Sequence, residues 1–195
     1  MSEPKAKNPI VAIKDFGNNP AIMARFKEVL KDRAPQFMAD VVNVVRESYE
    51  LQKCDPNSVW GAAMIAASLD LSVNKNLGFA GLVPYKDKCQ FQIMAKGFKQ
   101  LAIRSGQYAD LGDSEIYADE VKAYDPITGH IEFTPVDGRK DRDSGDENKI
   151  VGYYSWFELK TGFKKSIYMT VGQVKAHAKK FSNTYRNGLN DPDKR

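Results

Sequence analysis

The feature that most constrains this chain is a change in the spacing of its apolar residues near Asn74. Before it, apolar residues recur at helical spacing, and after it they alternate with polar ones. A helix buries a side chain about every 3.6 residues and a strand every second one. The predicted fold class is therefore α+β, with N-terminal helices, a central antiparallel sheet containing a β-hairpin, and basic helices flanking a groove.

The helices of the first half have recognisable starting signals. Asn19 and Pro20 offer an N-cap followed by a proline in the first turn, and Pro35 begins a second helix expected to run to about Leu51. A third helix, rich in small residues, is predicted over Val59–Leu71.

The domain organisation expected from length and composition is simple. Residues 1–18 are polar without periodicity and predict a flexible arm, and residues 19–195 are long enough to form a single domain around one core. No apolar run is long enough to cross a bilayer, and the N-terminus has no signal-peptide pattern, so we expect a cytoplasmic protein. Cys54 and Cys89 form no CxxC pair and are expected to be buried thiols.

A β-hairpin is predicted directly after the glycine-rich stretch that follows Asn74. Leu82–Tyr85 and Cys89–Ile93 are its strands, joined by a turn at Lys86, Asp87 and Lys88. Within the second strand the apolar residues share one face, so Gln90 and Gln92 should point outward.

A basic helix is predicted over Ala95–Ser105, with Gly106 ending it. Gly97 would allow a close approach of the backbone, and Phe98, Leu101 and Ala102 are expected to face the core. The remaining polar positions form a cationic ridge that contains Lys96, Lys99, Gln100 and Arg104.

The rest of the chain predicts strands and a final helix. The strands are expected at Glu115–Tyr124, His130–Thr134, Ile150–Leu159 and Lys165–Met169, with a mobile loop over Val136–Lys149. Thr170 and Gln173 match a capping box, which predicts a helix with the apolar stripe Val171, Val174, Ala178 and Phe181.

Charge is unevenly distributed along the sequence. Lys86–Arg104 holds five basic residues and one acid, Lys160–Arg186 holds seven and none, and Gln107–Glu147 holds twelve acids and four basic residues. Two basic blocks suit a polyphosphate partner, because neutralising phosphates releases condensed counterions. The alternative is that these runs are only solvated faces.

The chain lacks the residues that several classes of enzyme require. The chain has no GxxxxGK[ST] loop and no GxGxxG turn, and His130 and His177 lie in different segments. A carboxylate set could serve a two-metal nuclease, although a solvated or subunit-contacting face is the simpler interpretation. Its members are Asp110, Asp113, Glu115, Asp119 and Glu120. We therefore expect no catalytic residue, no bound metal and no cofactor.

Three consecutive motifs resemble those of a known family. They are the helix Cys54–Leu71, the hairpin with Val83-Pro84-Tyr85 and Gln90-Phe91-Gln92-Ile93, and the helix Lys96-Gly97…Leu101-Ala102…Arg104-Ser105-Gly106. Their order and spacing resemble the RecT family of phage single-strand annealing proteins, across about two-thirds of the chain. Met94 stands where relatives often carry glycine.

The resemblance implies ATP-independent binding of single-stranded DNA and annealing of complementary strands in phage-type recombination. It further implies a non-enzymatic protein that forms a homo-oligomeric ring or filament, holds single-stranded and annealed duplex DNA, and works in the bacterial cytoplasm with a 5′-to-3′ exonuclease and the host single-strand-binding protein. The family's C-terminal partner-binding region is expected to be absent from this chain. The alternatives are a passive single-strand-binding protein and a structural phage protein whose charged poles serve self-assembly.

The residues expected to bind DNA come from both basic blocks. They are Lys86, Lys88, Gln90, Gln92, Lys96, Lys99, Arg104, Lys164, Lys165, Lys175, Lys179, Lys180 and Arg186. Base stacking is a further role open to Tyr85, Phe163, Tyr168 and Tyr185, although such side chains are more often structural.

Overall fold

A computed structural model of the chain describes residues 9–125, 127, 130–136 and 149–188. It divides the chain into two compact units, residues 1–105 and residues 106–195. The expectation of one domain over residues 19–195 stays a prediction. None of the helices in the described ranges is long and apolar enough to cross a bilayer.

The first unit consists of helices followed by a hairpin and a further helix. Its elements are α1 (Pro9–Gly17), α2 (Pro20–Leu30), a 3₁₀ turn (Lys31–Arg33), α3 (Ala34–Arg46), α4 (Tyr49–Gln52), α5 (Pro56–Ser68), β1 (Ala80–Tyr85), β2 (Lys88–Ile93) and α6 (Ala95–Ser105). The α+β class predicted from the sequence is confirmed.

The core of this unit is an apolar cluster shared by α1 to α5 and the hairpin. The Phe26 ring stacks on Phe37 at 5.9 Å and meets Trp60 edge-on at 5.6 Å. Ile13 is fully buried in the same cluster, and its carbonyl oxygen accepts a hydrogen bond of 2.9 Å from the Trp60 indole nitrogen. Residues 9–17 are therefore a packed helix, where we expected part of a flexible arm.

Local capping signals decide where most of these helices begin. The Asn19 side chain accepts from the Ala21 amide before Pro20, as predicted. The helix beginning near Pro35 ends at Arg46, short of Leu51. It is interrupted because the Ser48 hydroxyl accepts from the Leu51 amide and so begins α4 as a separate turn.

The predicted hairpin is confirmed, with Tyr85 paired to Lys88 across a two-residue turn. Lys86 adopts the left-handed conformation there, with φ at 56°. The Asp87 carbonyl accepts from the Asp55 amide, and the Ser58 hydroxyl accepts from the Cys89 amide. These bonds tie the hairpin to the start of α5.

The second unit is mostly sheet. Its elements are β3 (Tyr108–Tyr117), a 3₁₀ turn (Ala118–Glu120), β4 (Val121–Tyr124), β5 (Ile131–Phe133), β6 (Ile150–Leu159), β7 (Lys164–Thr170), α7 (Val171–Phe181) and α8 (Asn183–Gly188). One antiparallel sheet has the order β3-β6-β7, and β4 pairs with β5 separately. Ile116, Ile131 and Tyr168 form the buried centre between them.

The expected strand over Glu115–Tyr124 is wrong in its bounds. The strand begins at Tyr108 and is broken by the 3₁₀ turn, because the buried Glu120 carboxylate accepts from the Tyr117 amide at 3.0 Å. The capping box of Thr170 and Gln173 is confirmed at the start of α7. Most of the loop predicted over Val136–Lys149 lies outside the described residues.

Candidate nucleic-acid interface

The hairpin of the first unit presents amides and cations to solvent. Gln90 and Gln92 are exposed on β2, whereas Cys89 between the turn and Gln90 is buried. Lys86 and Lys88 are exposed at the turn, with Asp87 between them. The predicted outward face of this strand is therefore present.

The orientation of α6 is set by Gly97. This glycine is buried against the carbonyl of Phe79, so close that an added Cβ would lie 2.1 Å from that oxygen. Helical geometry then places Lys99 on the side opposite Gly97, and Lys96 and Ile103 are exposed as well.

This orientation also overturns one expectation about the core. Phe98 is 62% exposed, where we expected it to be buried with Leu101 and Ala102, which are half-buried. The close approach at Gly97 selects the buried side of the helix, and Phe98 is about a quarter turn away from it.

Arg104 points elsewhere than the two lysines of α6. Its guanidinium donates to the Asp70 carboxylate and to the Asp70 carbonyl, both at 3.1 Å, and to the Leu69 carbonyl. These carbonyls follow the end of α5, where helical carbonyls lack partners within the helix. Arg33 donates to the same Asp70 carboxylate at 2.6 Å. Arg104 thus closes the C-terminus of α5.

The second unit carries the other basic block. Lys175, Lys179 and Lys180 are exposed on α7, and Lys165 is exposed on β7. Lys164 is paired with Glu158 at 2.9 Å.

Arg186 has the same role in the second unit that Arg104 has in the first. Its guanidinium donates to the carbonyls of Lys179 and Lys180 in the last turn of α7, at 3.5 and 2.9 Å. In each unit, therefore, an arginine donates hydrogen bonds to the carbonyls at the C-terminus of a helix.

The aromatic residues that the sequence suggested for base stacking differ in exposure. Tyr85 and Phe163 are exposed and Tyr185 is half-buried. Tyr168 is buried with its ring 4.9 Å from that of Tyr124, and burial raises the pKa of its phenol.

Sequence reasoning missed three aromatic rings that the second unit brings together. Phe133 of β5 lies 5.1 Å from Tyr154, and Tyr154 lies 5.7 Å from Trp156. We call these three residues the aromatic row. The only sequence signal was Tyr154 and Trp156 two positions apart in a strand, which indicates a shared face.

The partners of Asp110 and Glu120, both in the predicted carboxylate set, are structural. Asp110 accepts from the Trp156 indole nitrogen at 3.0 Å, and Glu120 accepts from backbone amides at both oxygens. Across the described ranges, no group of three or more His, Cys, Asp or Glu side chains is placed to hold a metal ion.

Exposed lysines and glutamines on an α+β scaffold define a candidate surface for a phosphate backbone. The chain belongs to the RecT family, whose model matches residues 35–194. It is also 41% identical over 181 residues to YqaK of Bacillus subtilis, described as an uncharacterized protein. That similarity covers 93% of this chain and 61% of YqaK.

Proposed function

We propose that this protein binds single-stranded DNA and anneals complementary strands without ATP, in phage-type homologous recombination. Family membership over residues 35–194 carries the proposal. The exposed cations and amides of β2 and α6 support it independently, because these two elements follow each other in the chain within one unit.

The chemistry of this surface suits annealing. Lys96 and Lys99 would meet phosphates, and Gln90 and Gln92 would donate to phosphate or sugar oxygens. Contacts of this kind hold the backbone without enclosing the bases. The base edges then remain available to sample a complementary strand.

The exposed lysines at the hairpin turn, on β7 and on α7 would add further phosphate contacts. They are Lys86, Lys88, Lys165, Lys175, Lys179 and Lys180. We propose that Arg104 and Arg186 act mainly through the helix ends that they close, and Lys164 through Glu158. The predicted groove between the two basic helices stays a prediction.

Assembly and partners are part of the same proposal. A filament needs different surfaces of the chain to meet, and opposite charges along the sequence favour such contacts. We propose a homo-oligomeric ring or filament that acts in the bacterial cytoplasm beside a 5′-to-3′ exonuclease and the host single-strand-binding protein. The chain spans about 61% of the length of YqaK.

The salt dependence of binding tests the DNA surface. Fluorescence anisotropy of a labelled oligonucleotide would be measured across a salt series for the wild type and for Lys96→Ala with Lys99→Ala. Each lost phosphate contact should reduce the slope of log affinity against log salt by roughly 0.7.

Lys27→Ala provides a matched control, since Lys27 is an exposed lysine on α2, away from the hairpin and α6 in sequence. This change should leave the slope as in the wild type. An unchanged slope in the double variant would remove Lys96 and Lys99 from the interface, and no binding by the wild type would refute the proposed function.

A further inference from the structure

We propose that the aromatic row of the second unit stacks the bases of single-stranded DNA. This inference rests on the proposed function and adds to it a site that contacts the bases rather than the phosphate backbone. Its residues are Phe133, Tyr154 and Trp156.

The three rings contact one another in the order Phe133, Tyr154 and Trp156. Tyr154 and Trp156 are nearly parallel, with an interplanar angle of 24° and centroids 5.7 Å apart. Phe133 meets Tyr154 edge-on, with an interplanar angle of 64°. Every base has a π-face, so such a surface accepts bases of any sequence.

Neighbouring residues hold the Trp156 ring in place. Its partner across the sheet is Gly112, where an added Cβ would lie 2.4 Å from the indole ring. The ring therefore lies directly against the β3 backbone, and its nitrogen donates to Asp110. A ring already fixed loses little conformational entropy when a base packs on it.

Open space is available beside these rings. A pocket of about 520 Å³ is lined by all three members of the aromatic row together with Ser114, Ile116, Glu120, Pro135 and Val136. A second pocket of about 380 Å³ shares Tyr154 and Trp156 with the first. Ligand pockets are typically about 300–1,000 Å³, so each has room for a nucleobase.

The charges at the two pockets favour opposite parts of a nucleotide. Glu120 lines the first pocket, and its carboxylate, which already accepts from the Tyr117 and Val136 amides, disfavours phosphate there. Lys164 and Lys165 line the second pocket, beside Glu158. The arrangement suits bases at the aromatic row, with phosphates toward Lys165.

Tryptophan fluorescence can test base stacking on Trp156 in the intact protein. Trp156 is half-buried, whereas Trp60, the other tryptophan of the chain, is only 3% exposed. An oligothymidylate should quench the emission, and an abasic oligomer of equal phosphate number should not. Trp156→Phe should abolish the quenching while keeping most of the affinity.

Affinity provides the second readout. Trp156→Ala should weaken oligothymidylate binding by roughly 5- to 150-fold, the range measured for base–aromatic stacking. Its binding of the abasic oligomer and its salt slope should not change. Tyr153→Ala is the matched control, because Tyr153 is exposed on the same strand with its side chain on the other face.

The outcomes separate the two proposals. If oligothymidylate binds with the expected salt slope but without quenching, and Trp156→Ala and Tyr153→Ala bind it like the wild type, the stacking site is wrong and the proposed function stands. If oligothymidylate does not bind at all, both are refuted. Equal quenching by the abasic oligomer would also overturn the stacking site.

Discussion

Replacing Arg104 by alanine should destabilise the first unit without changing how strongly DNA binding depends on salt. The substitution removes three hydrogen bonds to Asp70 and Leu69. The Arg104 side chain is 34% exposed, so solvent replaces part of what is lost. From net values of about 0.5–1.5 kcal/mol per hydrogen bond, discounted for that exposure, we expect a loss of about 1–2 kcal/mol.

Urea unfolding followed by circular dichroism would measure this loss. Arg33→Ala is the matched control, because Arg33 binds the same carboxylate through a 65% exposed side chain and closes no helix end. Its effect should be smaller than that of Arg104→Ala. Wild-type stability in Arg104→Ala, together with a reduced salt slope, would refute this reasoning and return Arg104 to the DNA surface.

Three further predictions concern packing, a thiol and the second basic helix. Gly97→Ala should cost about 1–3 kcal/mol of unfolding free energy, because its Cβ would meet the Phe79 carbonyl. Gly61→Ala, with open space at the same atom, should gain about 0.5–1 kcal/mol in the same urea titration. Burial raises the pKa of the Cys89 thiol to about 12, from 9.0, so iodoacetamide at pH 8 should label it only on unfolding. The pKa of Cys89 is higher in the folded than in the unfolded chain, so above pH 9 the thiol ionises in the unfolded chain first. The stability that the neutral, buried thiol contributes is therefore complete below pH 9 and is lost as the pH rises toward 12. Lys175→Ala with Lys179→Ala should weaken oligonucleotide binding in the anisotropy assay; unchanged affinity in a folded variant would make this face of α7 a solvated surface.

Local signals in the sequence predicted the elements well where neighbouring residues decide the structure. Asn19 before Pro20 and Thr170 before Gln173 both cap helices through their own side chains. The hairpin was predictable because alternation over β2 and a short polar turn are properties of adjacent residues. The features that depend on contacts between distant segments could not be predicted in this way.

Distant contacts explain what sequence reasoning missed. Phe98 was expected in the core because helical spacing does not show which side of α6 packs on Phe79. The hydrogen bonds of Arg104 to Asp70 were missed because the two residues are 34 positions apart in the sequence. The aromatic row joins β5 to β6, and no local pattern shows which rings will meet across that separation.

Strand annealing tests the central proposal most directly. Two complementary oligonucleotides, one with a fluorophore and one with a quencher, would be mixed without ATP, with and without the protein. The proposed function predicts that the protein accelerates loss of fluorescence, and that Lys96→Ala with Lys99→Ala reduces this acceleration while Lys27→Ala does not. Binding of both strands without any acceleration of pairing would contradict the proposal and leave a passive single-strand-binding protein.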